Sequence, residues 1–568
     1  MKRLGSLVIG LLVASLSLTG CATASTVIPN THVTVAEVGA VTTLNADVAD
    51  GSKIASDVAA LTMQNFYEID ATGSLVANKT FGAVQITKQE PFTVAYTLAK
   101  TALWSDGSSV DATDLALAVL AARTESFGST HFRTSLSSAV IVGTPKPGSN
   151  ELVITYPNPT ADWRTALSVA VPAHIVGKAA GLSGNVATIR ASILDAIANK
   201  DEATIGNLAT AYSSGFAPGA DATNFVTNGA YTINKVSTDA LELKAVRDFS
   251  GSHSGIAETV FVNIFADNAS AFKAVAAGKV DLFAPQPSLN EPQSDLVTQS
   301  QTLDSKKVSV LAPTSSQSEQ FLINLSGFTF SDATYNSPKT AGILRQAFMN
   351  MVPKARANDF ASLTQVITRS DSFVYSSASK NYSAVAASNG SANYLLQDVE
   401  KASELVASAK LSFVPVVKVL FDTDDPAAVA EWTLLSDHAS SAGFKLMNIS
   451  SDDPSQRYNN NAYDVFIGKI PLMGVGFGSV QQLASGPNRM PQEQYLGLTA
   501  DVLAANEKNI DAKLQELDKK LFELGIGVPM YQTPALLVVN QRVKGLVADP
   551  TATNSTWGYW TWQVSSDK

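Results

Sequence analysis

The sequence predicts an α/β protein, on three observations. Runs with a two-residue hydrophobic period, such as residues 92–98, alternate along the chain with runs at helical spacing, such as Ile510–Leu524. The 568 residues are 45% hydrophobic and 16% charged. That is enough apolar material for two or three cores, and too much for general disorder. Neither a sharp linker nor a repeat of about 20–50 residues is visible. The domains are therefore expected to be discontinuous, with the chain crossing between them several times.

The elements follow in order. Residues 33–38 (VTVAEV) form a first strand and 54–67 a helix. In 92–98 (FTVAYTL), Phe92, Val94, Tyr96 and Leu98 share one face of a strand. Trp104-Ser105-Asp106-Gly107 is a turn. Asp111 then caps a helix in which Asp114 completes a capping-box-like pair. Residues 152–156 are a strand closed by Pro157 and Pro159, and the Ala-rich stretch 179–211 is helical. Tyr231 opens a strand that pairs as a hairpin with 241–246. Helix 271–277 ends at Gly278 and leads into strand 280–283. Residues 321–325 are a strand, and helix 339–351 is stopped by Pro353. Val399, Ala402, Leu405, Val406 and Ala409 make one stripe of an amphipathic helix. Residues 416–421 are a strand, and the Asp422–Pro426 stretch after it reads as a solvated turn. Ile510, Leu514, Leu517, Leu521 and Leu524 give the most regular helical spacing in the chain.

Forty Lys+Arg against fifty Asp+Glu leave a net charge of −10. No basic tract is present, so a nucleic-acid partner is excluded. Lys2 and Arg3 precede an apolar stretch, residues 4–18 (LGSLVIGLLVASLSL). It is shorter than the ~20 residues a spanning helix needs and has the form of a secretory signal. Cys21 is the one cysteine, so an intramolecular disulfide is impossible. Leu18-Thr19-Gly20-Cys21 resembles the lipobox of bacterial lipoproteins, in which the cysteine thiol takes a diacylglyceryl group before cleavage. Residues 1–20 are then a signal peptide and 21–32 a tether. Loss of Lys2 and Arg3 moves the net charge from −10 to −12. The expectation is a globular protein on the extracytoplasmic face of the cell membrane, moored by lipid on Cys21.

Catalytic chemistry has no sequence signal. The histidines His32, His131, His174, His253 and His438 have no metal-ligand spacing, and HExxH is absent. Gly251-Ser252-His253-Ser254-Gly255 has histidine where a nucleophile elbow needs serine. Gly474-Val475-Gly476-Phe477-Gly478 lacks both Rossmann and P-loop spacing and reads as a turn. Asp422, Asp424 and Asp425 lack the later Glu of a calcium loop. No metal, cofactor or catalytic residue is expected.

Several segments, in this order, resemble one family. After the strand at 92–98 comes Leu103-Trp104-Ser105-Asp106-Gly107, then Val110-Asp111-Ala112-Thr113-Asp114-Leu115. This is similar to the Trp-Ser-Asp-Gly block of the bacterial extracellular solute-binding proteins of family 5, the dipeptide- and oligopeptide-binding lipoproteins of ABC importers. Asp111 stands where Thr is usual, and Leu115 where Val is usual. Thr227-Asn228-Gly229-Ala230-Tyr231, Ala277-Gly278-Lys279-Val280-Asp281, Asn324 with Leu344-Arg345-Gln346-Ala347-Phe348, Tyr463-Asp464-Val465 and Val528-Pro529-Met530-Tyr531-Gln532 fit the pattern as well. The resemblance covers roughly residues 34 to 540.

It implies a periplasmic-binding-protein-like type II fold: two α/β lobes joined by crossing strands, plus an extra inserted α/β domain. Lobe I would be 33–80, 205–312 and 528–568, the inserted domain 81–204, and lobe II 313–527. It further implies a non-enzymatic, monomeric receptor that closes on a peptide or similar small solute and delivers it to ABC permease membrane subunits. The ligand-binding residues it suggests are Thr42, Thr43 and Asn45 after the first strand, Gln317 and Glu319 in a crossing segment, and Lys469 and Leu472. Leu472 is a departure: many peptide-binding members carry there an aspartate that pairs with the peptide's α-amino group. That keeps open a non-peptide ligand, an oligosaccharide or a metal chelate. A secreted lipoprotein hydrolase and a cell-wall scaffold or adhesin are the rivals outside the family. Trp104 and Asp106 are expected to be structural, and the aromatic cluster Trp557, Tyr559, Trp560 and Trp562 to be core.

Overall fold

A computed structural model describes residues 26–565, apart from 49–52, 72–74, 132–133, 161, 288–292, 315–316, 356–366, 473–479, 481–482, 484–485, 504, 506–507, 533 and 551–553. Cys21 and the signal segment lie outside the described residues. Among the described residues, no helix is long and apolar enough to cross a membrane.

The strands in chain order are β1 (Ile28–Val38), β2 (Tyr67–Ile69), β3 (Leu75–Ala77), β4 (Gly82–Lys88), β5 (Thr93–Leu98), β6 (Val140–Ile141), β7 (Glu151–Thr155), β8 (Tyr231–Val236), β9 (Ala240–Ala245), β10 (Ala257–Phe265), β11 (Leu282–Phe283), β12 (Val308–Leu311), β13 (Gln317–Ile323), β14 (Thr368–Arg369), β15 (Val416–Leu420), β16 (Lys445–Asn448), β17 (Val465–Pro471), β18 (Gly527–Gln532) and β19 (Leu537–Asn540). A seven-stranded sheet has the order β12-β19-β11-β1-β10-β9-β8. A six-stranded sheet has the order β14-β18-β13-β17-β15-β16, and a four-stranded sheet the order β4-β5-β7-β6. The class is α/β, as the alternation predicts.

The two large sheets are joined where the chain leaves β12 for β13 and where it returns from β18 to β19. These crossings lie side by side. Thr314 and Pro534 form an antiparallel bridge, and Ala535 donates its N–H to the Pro313 carbonyl at 2.9 Å. Each sheet buries its own core. Phe321, Ile323, Val417, Val419, Val465 and Ile467 anchor the six-stranded sheet, and Val33, Val35, Val260, Val262 and Trp562 the seven-stranded one. The four-stranded sheet packs Val94, Tyr96 and Ile154 against helix Ala112–Arg123.

The capping box of that helix is present as expected. Asp111 accepts from the Thr113 N–H at 2.9 Å, and Asp114 accepts from the Asp111 N–H at 2.8 Å. Trp104 is buried and donates its indole N–H to Asp114 at 3.3 Å. Asp106 holds its turn by accepting from the Ser108 N–H at 3.0 Å and pairs with His174 at 2.8 Å. Both residues are structural, as expected.

Several boundaries differ from the sequence expectation. β1 begins at Ile28, inside the expected tether, because Ile28 already pairs with Ala257 of β10 and donates its N–H to the Ile256 carbonyl at 2.9 Å. The Ala-rich stretch is three helices, Ala173–Ala179, Val186–Asn199 and Glu202–Ser214, the last running across the expected boundary at 204. β18 belongs to the six-stranded sheet through its pairing with β13 and β14, so the chain recrosses after Gln532 rather than at 528. Asp422–Pro426 is no plain turn: Asp425 caps helix Pro426–Ala439, with Pro426 at its first position.

Candidate ligand-binding site

In α/β sheets ligands bind beyond the carboxyl ends of the parallel strands, where backbone and side chains converge on a crevice. Among the described residues there are two such edges. β1 is parallel to β10 and β11 and ends at Val38. β15 is parallel to β16 and β17 and ends at Leu420.

The loop after β1 is braced from within. Thr43 Oγ1 accepts from the Asn45 N–H at 3.1 Å, Asn45 Nδ2 donates to the Tyr212 carbonyl at 2.9 Å, and Asn45 Oδ1 accepts from the Asp47 N–H at 3.1 Å. Thr43 and Asn45 are thereby buried, while Thr42 is exposed. Just beyond them, Ala46 and Asp47 line a cavity of about 590 Å³. Its other walls come from helix Lys53–Thr62, residues 63–69, 130–131, 164–170 and 249–253, and the C-terminal segment at 549–560.

Charge in this cavity is paired. Asp47 meets His131 at 2.6 Å and accepts from the hydroxyls of Ser129, Thr130 and Tyr212, each at 2.7 Å. Burial alone would raise the Asp47 pKa, but the hydrogen bond and charge of His131, then Tyr212 and Thr130, outweigh it and hold the carboxyl below its ordinary value. Burial works against the His131 cation in the same way, and Asp47 reverses the effect, leaving the imidazole raised. On the aromatic side, His253 stacks on Trp560 with centroids 3.8 Å apart, and its Nε2 lies 3.3 Å from Glu68. Trp557 meets Trp560 edge-on at 5.0 Å. Of the C-terminal aromatic cluster only Trp562 belongs to the core alone; Trp557, Tyr559 and Trp560 line the cavity, a correction to the sequence expectation. Arg164 lies over Trp163 at 4.1 Å and donates to the carbonyl of Ala505, which follows helix Gln492–Leu503 on the six-stranded side. This contact ties the cavity wall to the other half.

The second crevice is acidic. Tyr531, Glu319 and Lys469 are register partners across β18, β13 and β17, forming one row over the sheet just past the crossings. Helix Pro426–Ala439, entered directly from β15, adds Asp425 and Glu431. Lys469 Nζ lies 3.5 Å from Asp425. Glu319 is 1% and Glu431 0% exposed, and no oxygen of either carboxylate accepts a hydrogen bond of ordinary geometry. Burial pushes the Glu319 pKa up to about 8, against the pull of Lys469. Burial, then the negative charges of Glu319 and Asp425, raise Glu431 well above the carboxylate range, while the neighbouring Tyr531 hydroxyl and Lys469 act in the opposite direction.

Of the residues suggested by sequence, Glu319 and Lys469 are thus brought together. Thr42, Thr43 and Asn45 form the loop behind the cavity, Gln317 is exposed at the start of β13, and Leu472 is fully buried after β17. Arg345 donates to the carbonyls of Phe330 and Leu524 and is structural. Asp425, Glu431, Tyr531, Asp47, Arg164 and the His253–Trp560 stack were not singled out for the site. The Asp425-Pro426 cap signature, which starts a helix at a strand's carboxyl end, is the local signal that points to the first two. Among the described residues no group of three or more His, Cys, Asp or Glu is arranged to hold a metal ion.

The family model for bacterial extracellular solute-binding proteins, family 5 Middle, matches residues 87–473. No curated protein matches the chain in sequence. Among solved structures, the chain is similar to the periplasmic EDTA-binding protein EppA, with a TM-score of 0.62 and 16% identity over 98% of this chain and 100% of that one. It is similar to the oligopeptide-binding protein AppA from Bacillus subtilis, solved with a nonapeptide, at a TM-score of 0.55 and 12% identity over 94% and 99%. It is also similar to NikZ from Campylobacter jejuni, solved with Ni(L-His), at 0.55 and 14% over 94% and 100%. The shared fold is the periplasmic-binding-protein-like type II arrangement. The chain belongs to the bacterial extracellular solute-binding proteins of family 5.

Proposed function

We propose that this chain is the substrate receptor of an ABC importer. It captures a peptide or similar small solute between its two halves and hands it, chemically unchanged, to the permease. The observation that carries this reading is the pair of crevices: each large sheet presents the carboxyl ends of its parallel strands, and two adjacent crossings join the sheets. We assign lobe I to the seven-stranded sheet, lobe II to the six-stranded sheet, and the inserted domain to the four-stranded sheet with its helices. Lipid on Cys21 would hold the receptor at the outer face of the membrane and raise its concentration near the permease.

Peptide capture is the first expectation, by analogy with AppA, which was solved with a nonapeptide. A non-peptide chelate stays in view, because Leu472 offers no carboxylate to a peptide amine and EppA and NikZ are described with EDTA and Ni(L-His).

Thermal unfolding in the presence of peptide pools tests the reading. A ligand at a hundred times its Kd adds about 2.7 kcal/mol, so a rise of several degrees is expected with at least one pool. No shift with peptides, oligosaccharides or metal chelates would refute it. For the anchor, Cys21→Ala is expected to move the protein from the membrane fraction to the medium or leave it unprocessed. Unchanged membrane retention would count against lipidation.

A further inference from the structure

Glu319 and Glu431 differ from the other buried carboxylates around them. Asp464 accepts backbone N–H groups from Thr329 and Lys418, at 3.0 and 2.9 Å. Asp518 accepts from Phe373 N–H at 2.8 Å and from Asn389 at 2.7 Å. Glu319 and Glu431 accept no hydrogen bond of ordinary geometry, yet they are 1% and 0% exposed. Four carboxyl oxygens are therefore gathered in one dry place, with only the Tyr531 hydroxyl beside Glu431 as a neighbouring neutral donor. The charged and titratable groups facing them are Asp425 from the helix cap, Lys469 from β17 and Tyr531 from β18. Lys469 is the one cation among these groups. It sits against Asp425 rather than forming an ion pair with either glutamate. Three carboxyl groups thus face one ammonium, with the Tyr531 hydroxyl beside Glu431 as the neighbouring neutral donor. The cluster has at its outer edge Lys469 and Asp425, whose side chains are 41% and 25% exposed. It also lies at the carboxyl edge of β15 and β17, where a ligand of this fold arrives.

We propose that this recess receives a cationic group of the captured solute, an ammonium or a guanidinium, and that Lys469 stands at its mouth as a resident ammonium which the solute displaces. The inference rests on the receptor reading above. A guanidinium brings five N–H donors and an ammonium three, more than the Tyr531 hydroxyl offers these four oxygens. A bare metal ion fits less well, because no three carboxylates or imidazoles here are arranged to hold one. A neutral hydroxyl would supply a donor but no charge. Burial keeps Glu319 protonated up to about pH 8, so entry of a cation expels protons. Affinity for the cation therefore rises with pH over the range below 8, by up to about tenfold per pH unit for each proton released.

The test is calorimetric titration of the full chain with the tripeptide Ala-Lys-Ala, with its doubly N-acetylated form, and with spermidine and arginine as non-peptide cations. Glu319→Gln, Glu431→Gln and Lys469→Met are compared with the unaltered protein, and each variant is checked by its Tm. An amide of the same shape, in place of an acid that burial already keeps protonated, leaves Glu319→Gln and Glu431→Gln folded, with little change in stability. The expected result is that a cationic probe binds, tightens from pH 6 to pH 8, and loses at least tenfold in both Gln variants. Lys469→Met binds it more tightly. Cationic probes that bind with unchanged affinity in both Gln variants would overturn the proposal. Binding of the acetylated peptide but of no cationic probe would overturn it while the receptor reading stands. Binding of none of these probes would overturn it too, and peptide pools, oligosaccharides and chelates that likewise gave no thermal shift would take the receptor reading with it.

Discussion

Glu37 shows how the fold handles a buried carboxylate when it does supply partners. Burial, then the neighbouring Asp57, push its pKa up to about 8; Lys53 and a hydrogen bond from Ser555 pull it back. Ser555 Oγ donates to Glu37 at 2.6 Å and contacts Asp57 as well, fixing the C-terminal segment against β1 and helix Lys53–Thr62. Ser555→Ala is expected to cost about 1–3 kcal/mol, since it leaves buried carboxylate oxygens without their donor. Denaturant unfolding at pH 7 measures this. Glu37 and Glu319 both have folded-state pKa values above their unfolded ones. Through these two groups the folded protein binds more protons than the unfolded chain between about pH 4.5 and 8, and their contribution to stability falls as pH rises through that window. His131, raised by Asp47, works in the same direction: its contribution is complete below the unfolded histidine pKa and is lost as pH rises through the folded one. A Tm profile from pH 5 to 9 is expected to decline toward alkaline pH, and Glu319→Gln to flatten that decline. An identical slope in the variant would show that Glu319 does not titrate as its surroundings dictate.

Among elements, the most sensitive are those held by a single irreplaceable geometry. Gly527 opens β18 at φ +145°, and a Cβ there would lie 2.0 Å from the Phe321 carbonyl oxygen of β13. Gly527→Ala combines left-handed strain of about 1–3 kcal/mol with backbone overlap, and is expected to disrupt the β13–β18 pairing. Loss of soluble expression or a Tm drop of many degrees would report it. Asp111 serves helix Ala112–Arg123 as its cap and also pairs with the buried Arg190 at 3.2 Å. Asp111→Ala is expected to cost about 2–3 kcal/mol, because a cap alone is worth about 0.5–2 and the buried Arg190 would lose its shorter ion pair, keeping the Ser109 carbonyl at 2.6 Å and Asp114 at 3.8 Å.

These elements also show what the chain discloses locally. Helix Ile510–Leu524 and the capping box of Ala112–Arg123 were legible because spacing and cap lie within a few consecutive residues. β10 was passed over although Thr259, Val260 and Val262 mark it as a strand; its place beside β1 depends on a partner more than 200 residues away. Helix Pro426–Ala439 was hidden by three aspartates that suggest solvent, when one of them is its cap. The acidic row was the least legible. Tyr531, Glu319 and Lys469 come from segments far apart in sequence, and only sheet register makes them neighbours. Glu431 is the one charged residue in the apolar run 427–435, where a lone carboxylate would be expected to face solvent, yet it is fully buried.

On the scale of the whole molecule, the halves are joined by two adjacent crossings, the kind of connection about which hinged halves rotate. The hydrogen bond from Arg164 to Ala505 spans them. Arg164→Ala removes a charged hydrogen bond worth about 1.5–3 kcal/mol in the closed form. It is expected to shift the ligand-free protein toward open, seen as a larger radius of gyration in solution scattering. An unchanged radius would mean that other contacts hold the halves. The account's central claim is that these halves close on a solute without altering it. Native mass spectrometry of gently purified protein, followed by the same measurement after denaturation, tests this most directly. A small mass carried by the folded chain, released intact on unfolding, is the result the account requires. A chain that is bare in every preparation, or one that releases only a chemically cleaved product of what it was given, would contradict it.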